Sequence, residues 1–131
     1  MKRRSIEIPG FKHDHPIPSA SQIGPFVVSG GISGKDPATG KMAEGIEAQC
    51  ALTFAYMRSI IEAAGGATDD ILKVTVWLKD GAHRANVNQE WLKMFPDAES
   101  RPARHTFTGQ ALAGNMLVQV EFWAVLNGGK G

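Results

Sequence analysis

The clearest feature of the sequence is an amphipathic pattern between Ile46 and Ala64. Apolar residues recur there every three or four positions, and most charged residues fall outside this stripe. We predict a helix of about five turns that ends at Gly65-Gly66, because glycine readily adopts the conformation that closes a helix. Cys50 lies within the stripe, so it is expected to be a buried packing residue rather than a nucleophile.

A second, shorter helix is predicted over residues 84–95. Val87, Trp91 and Phe95 recur on one side of this segment, and Pro96 follows it. A proline disfavours the helical conformation of the residue that precedes it, so the helix should stop there. Each helix therefore offers one apolar side to a core.

Two longer strands are predicted over residues 71–79 and 116–126, where apolar and polar residues alternate. The expected buried face of the first strand comprises Leu72, Val74, Val76 and Leu78. That of the second comprises Met116, Val118, Val120, Phe122 and Ala124.

Shorter strands complete the pattern. They are expected over residues 5–8, Phe26–Ser29 and 103–108, and two prolines make residues 13–21 an extended loop. The order β-β-α-β-α-β-β predicts an α+β fold in which two helices pack on one face of a sheet.

Composition narrows the class of protein. The formal net charge of +1 argues against a nucleic-acid-binding protein, and a single cysteine excludes an intrachain disulfide and a multi-cysteine metal site. We expect a single domain, 1–131, in which residues 1–12 hold the N-terminal segment and the first strand. No apolar run is long enough for a membrane span, and no apolar segment follows the basic N-terminus, so a cytoplasmic enzyme or binding protein is expected.

Familiar catalytic and ligand-binding motifs are absent from the sequence. The glycine-rich stretch after Ser29 lacks the spacing of a phosphate-binding loop and leads into an Asp-Pro turn rather than a helix. A remaining interpretation is that its bare backbone contacts a ligand directly. His13 and His15 flank Asp14, but further metal ligands would have to come from distant segments, so no metal site is expected.

Arg104 is the first candidate ligand-binding residue. It follows Arg101-Pro102-Ala103 at the start of a predicted strand, which would hold its side chain more firmly than a loop. A guanidinium can bind a carboxylate through two parallel hydrogen bonds. Taken alone, however, the segment is more typical of a surface arginine in an ion pair.

The second face of the strand over residues 116–126 mixes polar and aromatic side chains. Gln119 and Glu121 share it with Trp123, and Trp77 occupies the polar face of the other long strand. A domain of this size seldom exposes two tryptophans on a sheet. We therefore expect an oligomer in which sheet faces meet.

Motifs that are individually weak occur in a specific order between His15 and Leu126. They are Val28-Ser29-Gly30-Gly31-Ile32, Asp36-Pro37-Ala38-Thr39-Gly40, Ile61-Glu62-Ala63-Ala64-Gly65, Ile71-Leu72-Lys73-Val74-Thr75-Val76-Trp77-Leu78-Lys79-Asp80, Val87-Asn88, Arg101-Pro102-Ala103-Arg104 and Val118-Gln119-Val120-Glu121. In this order and spacing the chain resembles the reactive intermediate/imine deaminase family, which is also called the RidA or YjgF/UK114 family.

The resemblance implies a chorismate-mutase-like α+β fold with a mixed β-sheet, and a homotrimer whose ligand clefts lie between subunits. Many members hydrolyse reactive 2-imino or enamino acids to 2-oxo acids and ammonia, without a metal or an organic cofactor. The family's carboxylate-binding arginine falls on Arg104, so the implied partner is a small carboxylate substrate. Neither a membrane nor a nucleic acid is expected as a partner.

The resemblance also implies the other site residues. The implied substrate-binding residues are Ser29, Gly30, Gly31, Asn88, Thr106 and Ile17. The family's water-positioning glutamate aligns with Gln119, whose amide can orient water but cannot accept its proton, so Glu121 or a backbone carbonyl is expected to act instead. A cleft tyrosine of the family aligns near Ile17, which lacks the hydroxyl. His105 is expected to point away from the face that carries Arg104.

Four functions stay open at this point. The first is a hydrolytic deaminase of small 2-imino or enamino acids. The second is a 2-aminomuconate-type deaminase of aromatic degradation, which residues 15–18 and 101–105 favour by resemblance. The third is a non-catalytic small-ligand-binding or chaperone-like trimer. The fourth is an endoribonuclease of the L-PSP type, although the near-neutral charge and the lack of a basic, aromatic strip disfavour it.

Overall fold

The computed structural model of the protein describes residues 1–127. Within this range the strands are β1 (Arg4–Ile6), β2 (Ala20–Ile23), β3 (Phe26–Ser29), β4 (Ile32–Ser33), β5 (Ile71–Leu78), β6 (Ala103–Phe107) and β7 (Val118–Val125). The helices are α1 (Ile46–Ala63) and α2 (Arg84–Met94), and 3-10 turns at Thr68–Asp70 and Gly81–His83 precede β5 and α2. The predicted α+β class is confirmed.

The strands form one mixed sheet in the order β1-β2-β3-β7-β5-β6. The short strand β4 also pairs with β7, at residues of β7 that lie beyond the end of its pairing with β3. β5 and β6 run parallel, whereas the other neighbouring strands run antiparallel. A parallel pair needs a crossover connection, and α2 lies within the one that joins β5 to β6.

Both helices pack on one face of the sheet and enclose the core with it. The sheet contributes Val27, Ile32, Val74, Val76, Leu78, Val118, Val120, Phe122 and Ala124. The helices contribute Cys50, Phe54, Tyr56, Met57, Ile60, Ile61, Val87 and Trp91. Cys50 is buried as predicted, and its burial raises the pKa of the thiol to about 12, so it is a packing residue. The opposite side of the sheet is called the open face below.

The main errors of the sequence prediction concern short or irregular segments. The prediction missed β4, which has only two residues, and β2, which falls partly within the expected loop over residues 13–21. The prediction that Leu72 is buried was wrong. The register of β5 against β7 shifts between Ile71 and Lys73, so Ile71 enters the core and Leu72 is 57% exposed. Among residues 1–127, neither helix has the length and apolar character needed to cross a bilayer.

Candidate functional site

Arg104 is held by two residues of α2. Its guanidinium donates a hydrogen bond to the side-chain oxygen of Asn88 at 2.7 Å and lies 4.9 Å from the centre of the Trp91 ring. The parallel register pairs Arg104 with Val74, a core residue, so its side chain points to the helix-covered side of the sheet. A hydrogen bond to a neutral amide and a contact with an aromatic ring orient the guanidinium without neutralising its charge.

The electrostatic surroundings of Arg104 are those of an unpaired cation. Burial lowers the pKa of its guanidinium, and the charge of nearby Arg84 lowers it further, although arginine stays protonated in proteins. Within residues 1–127 the ion pairs join Lys35 to Asp14 and Lys93 to Glu90. The surface ion pair considered for Arg104 is therefore not formed in this part of the chain.

Arg101 has a structural role that the sequence did not reveal. Its side chain donates hydrogen bonds to the backbone oxygens of Phe95 at 2.9 Å and Pro96 at 3.3 Å. These two carbonyls follow the last turn of α2 and have no helical donor. Arg101 therefore fixes the connection between α2 and β6, which sets the position of Arg104 relative to Asn88.

Gly31 and Gln119 form a second group of predicted site residues. A Cβ atom added to Gly31 would lie only 2.6 Å from the side-chain nitrogen of Gln119, so the absence of a side chain lets the amide rest against the backbone. Gln119 pairs with Trp77, and Glu121 pairs with Thr75, all on the open face. The sheet thus brings Gly31, Gln119 and Glu121 to one side of the molecule.

Ser29 lies where β3 separates from β7. Its hydroxyl accepts a hydrogen bond from the backbone nitrogen of Phe122 at 2.8 Å and donates one to the carbonyl of Gly30 at 2.9 Å. The side chain is buried and replaces a backbone ladder contact at this break. Ser29 therefore lies within the sheet, and Gly30 is likewise engaged there, because its backbone nitrogen donates to the carbonyl of Ser19 at 2.9 Å.

The predicted site residues fall into two half-sites on opposite sides of the sheet. One half, called the carboxylate half for the role proposed below, comprises Asn88, Arg104 and Thr106, since Thr106 pairs with Val76 on the helix-covered side. The other half, called the water half for the role proposed below, comprises Gly31, Gln119 and Glu121. One protomer therefore does not bring Arg104 and Gln119 together. His105 alternates with Arg104 along β6 and points to the open face, as predicted.

Ile17 and the two loop histidines border a separate cavity of about 270 Å³. Ile17 is 51% exposed, and His13 packs edge-on against Phe11 with the ring centres 5.2 Å apart. The Nε2 atom of His13 is buried without a hydrogen-bond partner among the described residues and lies 3.7 Å from the position that a Cβ of Gly30 would take. No cluster of three or more metal-ligating side chains is found within residues 1–127.

The open face carries an apolar surface. Its exposed members are Ile23, Phe26, Val28, Phe107 and Trp123. Pairing of Ile23 with Phe26, and of Val28 with Trp123, makes them neighbours across β2, β3 and β7. Trp77 and Phe107 stack at 6.3 Å on the same face, beyond the polar row formed by Glu121, Thr75 and His105. Exposed apolar areas of this kind are characteristic of an interface.

Comparison with known proteins identifies the family. Residues 14–126 match the model of the family described as endoribonuclease L-PSP. The chain belongs to this family. The predicted membership of the RidA/YjgF group, which the same family model covers, is thereby confirmed.

Proteins of related sequence include members of the RutC family and proteins named as deaminases. A RutC family protein of Aquifex aeolicus is 32% identical over 110 residues, which cover 84% of this chain and 88% of that protein. The 2-iminobutanoate/2-iminopropanoate deaminase of Salmonella typhimurium is 32% identical over 111 residues, which cover 84% of this chain and 87% of the deaminase.

Solved structures of the family share the fold. RidA from an Antarctic Psychrobacter superposes with a TM-score of 0.86 at 28% identity, covering 94% of this chain and 99% of RidA. The YjgF protein of Escherichia coli superposes with a TM-score of 0.83 at 26% identity, covering 93% and 98% of the two chains. The predicted YjgF-type fold is therefore confirmed.

Proposed function

We propose that the protein is a hydrolytic deaminase that converts reactive 2-imino or enamino acids to 2-oxo acids and ammonia. The observation that carries this proposal is the guanidinium of Arg104, which Asn88 and Trp91 hold in place while its charge has no acidic partner in the described chain. A cation prepared in this way suits a small carboxylate. The name of the Salmonella relative supports the same reaction class.

Arg104 binds the substrate carboxylate in this proposal. One of its N–H groups is occupied by Asn88, and the others stay available for two parallel hydrogen bonds to carboxylate oxygens. Because the imine carbon is bonded to the carboxylate carbon, binding the acid group also fixes the position of the reacting carbon.

The proposed active site lies between subunits of a homotrimer. The two half-sites lie on opposite sides of one sheet, so they can face each other only when they come from different protomers. The apolar open face supplies the area that such an assembly requires. Each cleft then combines the carboxylate half of one subunit with the water half of its neighbour.

Water attacks the C2 atom of the protonated imine in the proposed reaction. A C–O bond forms as the C=N pair of electrons moves to nitrogen, which gives a carbinolamine. After the added water has lost a proton and the amine has gained one, a lone pair of the hydroxyl oxygen forms the C=O bond while the C–N bond breaks with its electron pair. Ammonia leaves and takes up the remaining hydroxyl proton, which gives the 2-oxo acid and ammonium. Gln119 orients the water, and Glu121, on the same face, accepts its proton. A protonated imine is already electrophilic, so the proposal invokes no cofactor.

Imine hydrolysis by Arg104 variants tests the function. 2-Iminopropanoate, generated from alanine by an amino acid oxidase, should disappear faster with the wild-type protein than in buffer. Arg104→Ala should lower kcat/KM by about 100-fold or more, because it removes both the charge and the orientation of the substrate. Arg104→Lys should recover only part of the activity, since an ammonium cannot form the bidentate pair.

Two outcomes would count against the proposal. Without acceleration by the wild-type protein, the deaminase function fails, and tight binding of 2-oxo acids would then favour the non-catalytic alternative. Full activity of Arg104→Ala, with the fold verified by circular dichroism, would remove the role assigned to the guanidinium.

A further inference from the structure

A second arginine lies beside the carboxylate half-site. Arg84 is the first residue of α2, and Asn88 follows it by four positions. Side chains four residues apart lie on the same side of a helix, about one turn or about 6 Å apart along its axis. Asn88 contacts Arg104 at 2.7 Å, so Arg84 lies on the side of α2 that faces Arg104, one turn before the contact.

The charges of the two arginines are uncompensated within the described chain. Arg84 is close enough to lower the pKa of Arg104, and no carboxylate contributes to the shift of that group. The ion pairs of residues 1–127 involve neither arginine. Two neighbouring cations repel each other, and an anion between or beside them removes the repulsion.

We propose that Arg84 binds a second acidic group of the substrate, so that the preferred substrates are 2-imino or 2-enamino dicarboxylic acids. This inference rests on the deaminase function proposed above and adds the substrate class. The first carboxylate binds Arg104 next to the reacting carbon, and the distal carboxylate binds Arg84 one helical turn away. A substrate with an apolar side chain leaves the charge of Arg84 without a partner.

A pair of imines that differ in the distal carboxylate tests the proposal. 2-Iminoglutarate and 2-iminopropanoate are generated from glutamate and alanine by the corresponding oxidases. The wild-type protein should favour the dicarboxylate in kcat/KM by about 10- to 100-fold, as expected for one charge-assisted pair. Arg84→Gln should reduce this ratio by the same factor, mainly through KM, and Arg84→Lys should retain most of it.

A binding measurement separates this proposal from the deaminase function itself. The stable 2-oxo acids 2-oxoglutarate and 2-oxobutanoate are titrated by calorimetry. The Kd of 2-oxobutanoate divided by the Kd of 2-oxoglutarate should fall in Arg84→Gln by about 10-fold or more. If the wild-type protein hydrolyses neither imine, the deaminase function fails, yet the Kd ratio still tests Arg84.

The matched control is Arg58→Gln, which removes an exposed arginine from α1, outside both half-sites. It should leave both ratios at the wild-type value. An Arg84→Gln protein with unchanged ratios, or with equal losses on the mono- and dicarboxylate, would overturn the proposal.

Discussion

At the scale of single residues, the carboxylate half-site consists of a charged group and the neutral groups that orient it. Asn88 accepts from the guanidinium of Arg104, Trp91 supports its plane, and Arg101 fixes the preceding turn. None of these three contacts adds a negative charge. In the proposed reaction the substrate therefore meets an arginine whose conformation is set before binding, which lowers the entropy lost when the pair forms.

His13 leads to a prediction on pH dependence. Its burial lowers the pKa of the imidazole below 6.5, and Lys35 and His15 act in the same direction, whereas Glu7 and Asp14 oppose it. The unfolded chain therefore binds a proton at a pH where the folded protein does not, so the free energy of unfolding decreases as the pH falls below about 6.5. The decrease ends once the pH is below the folded-state pKa.

Thermal unfolding of a His13→Gln variant between about pH 7 and about pH 5 measures this contribution. The Tm of the variant should fall less over this interval than the Tm of the wild-type protein. Lys12→Gln changes an exposed residue of the same loop that does not contribute to the shift of His13, and it should keep the wild-type pH dependence. Equal slopes for the wild type and His13→Gln would contradict the prediction.

The residue scale also shows what the sequence could not reveal. Arg104 stood out because a guanidinium on a strand is chemically distinctive, and its alternation with His105 correctly placed the two on opposite faces. The contact between Arg104 and Asn88 depends on how α2 crosses β6, which no local pattern encodes. Arg84 was missed for the same reason, since its meaning arises only from its neighbours in space.

At the scale of elements, the junction between β4 and α1 brings two backbone segments into close contact. A Cβ atom on Gly34 would lie 2.5 Å from the Cα and 2.6 Å from the carbonyl oxygen of Gln49. These are backbone atoms of a helix, which cannot rotate away. The Gln49 side chain is itself buried and donates to Ala43 and Asn115 while accepting from Leu117. The start of α1 is thus fixed from several sides.

Gly34→Ala should therefore lower the free energy of unfolding by about 1–3 kcal/mol, because the helix must shift to accept one methyl group. Urea unfolding at a fixed protein concentration measures this loss. Gly81→Ala is the control, since its Cβ would be 3.4 Å from Thr108, an ordinary contact, and should change stability by less than about 0.5 kcal/mol. Equal stabilities of the two variants would refute the argument.

Long elements were predictable because their periodicity persists over many residues. The start of α1 and the whole of β3 agree with the predicted positions. β4 has two residues, too few for any period, and its place in the sheet depends on β7. The irregularity near Leu72 was equally hidden, because a one-residue shift in register leaves the sequence alternation unchanged.

At the scale of the whole molecule, the exposed apolar residues of the open face lead to a prediction about assembly. Trp123 is 57% exposed and lies at its centre, so Trp123→Glu would place a charge in the proposed interface. The wild-type protein should have about three times the 14.1 kDa chain mass, and the variant should be largely monomeric and inactive. Size-exclusion chromatography with light scattering measures both masses.

Leu72→Glu is the matched control for this change. Leu72 is also 57% exposed, but it lies at the irregular start of β5, where it borders a cavity with Phe95, Arg101 and Pro102. The control should stay trimeric. A wild-type protein that is monomeric, or a Trp123→Glu protein that remains a trimer, would rule out the proposed use of this surface.

The separation of the two half-sites has a genetic consequence. In the proposed trimer, each chain contributes to two clefts, and each cleft is built from two chains. Whether a cleft is active therefore depends on both of the chains that form it. A defect in Arg104 and a defect near Gly31, carried by different copies of the gene, would leave some mixed trimers with a cleft built from two intact halves. Two inactive alleles could then complement each other, whereas two alleles altered in the same half could not.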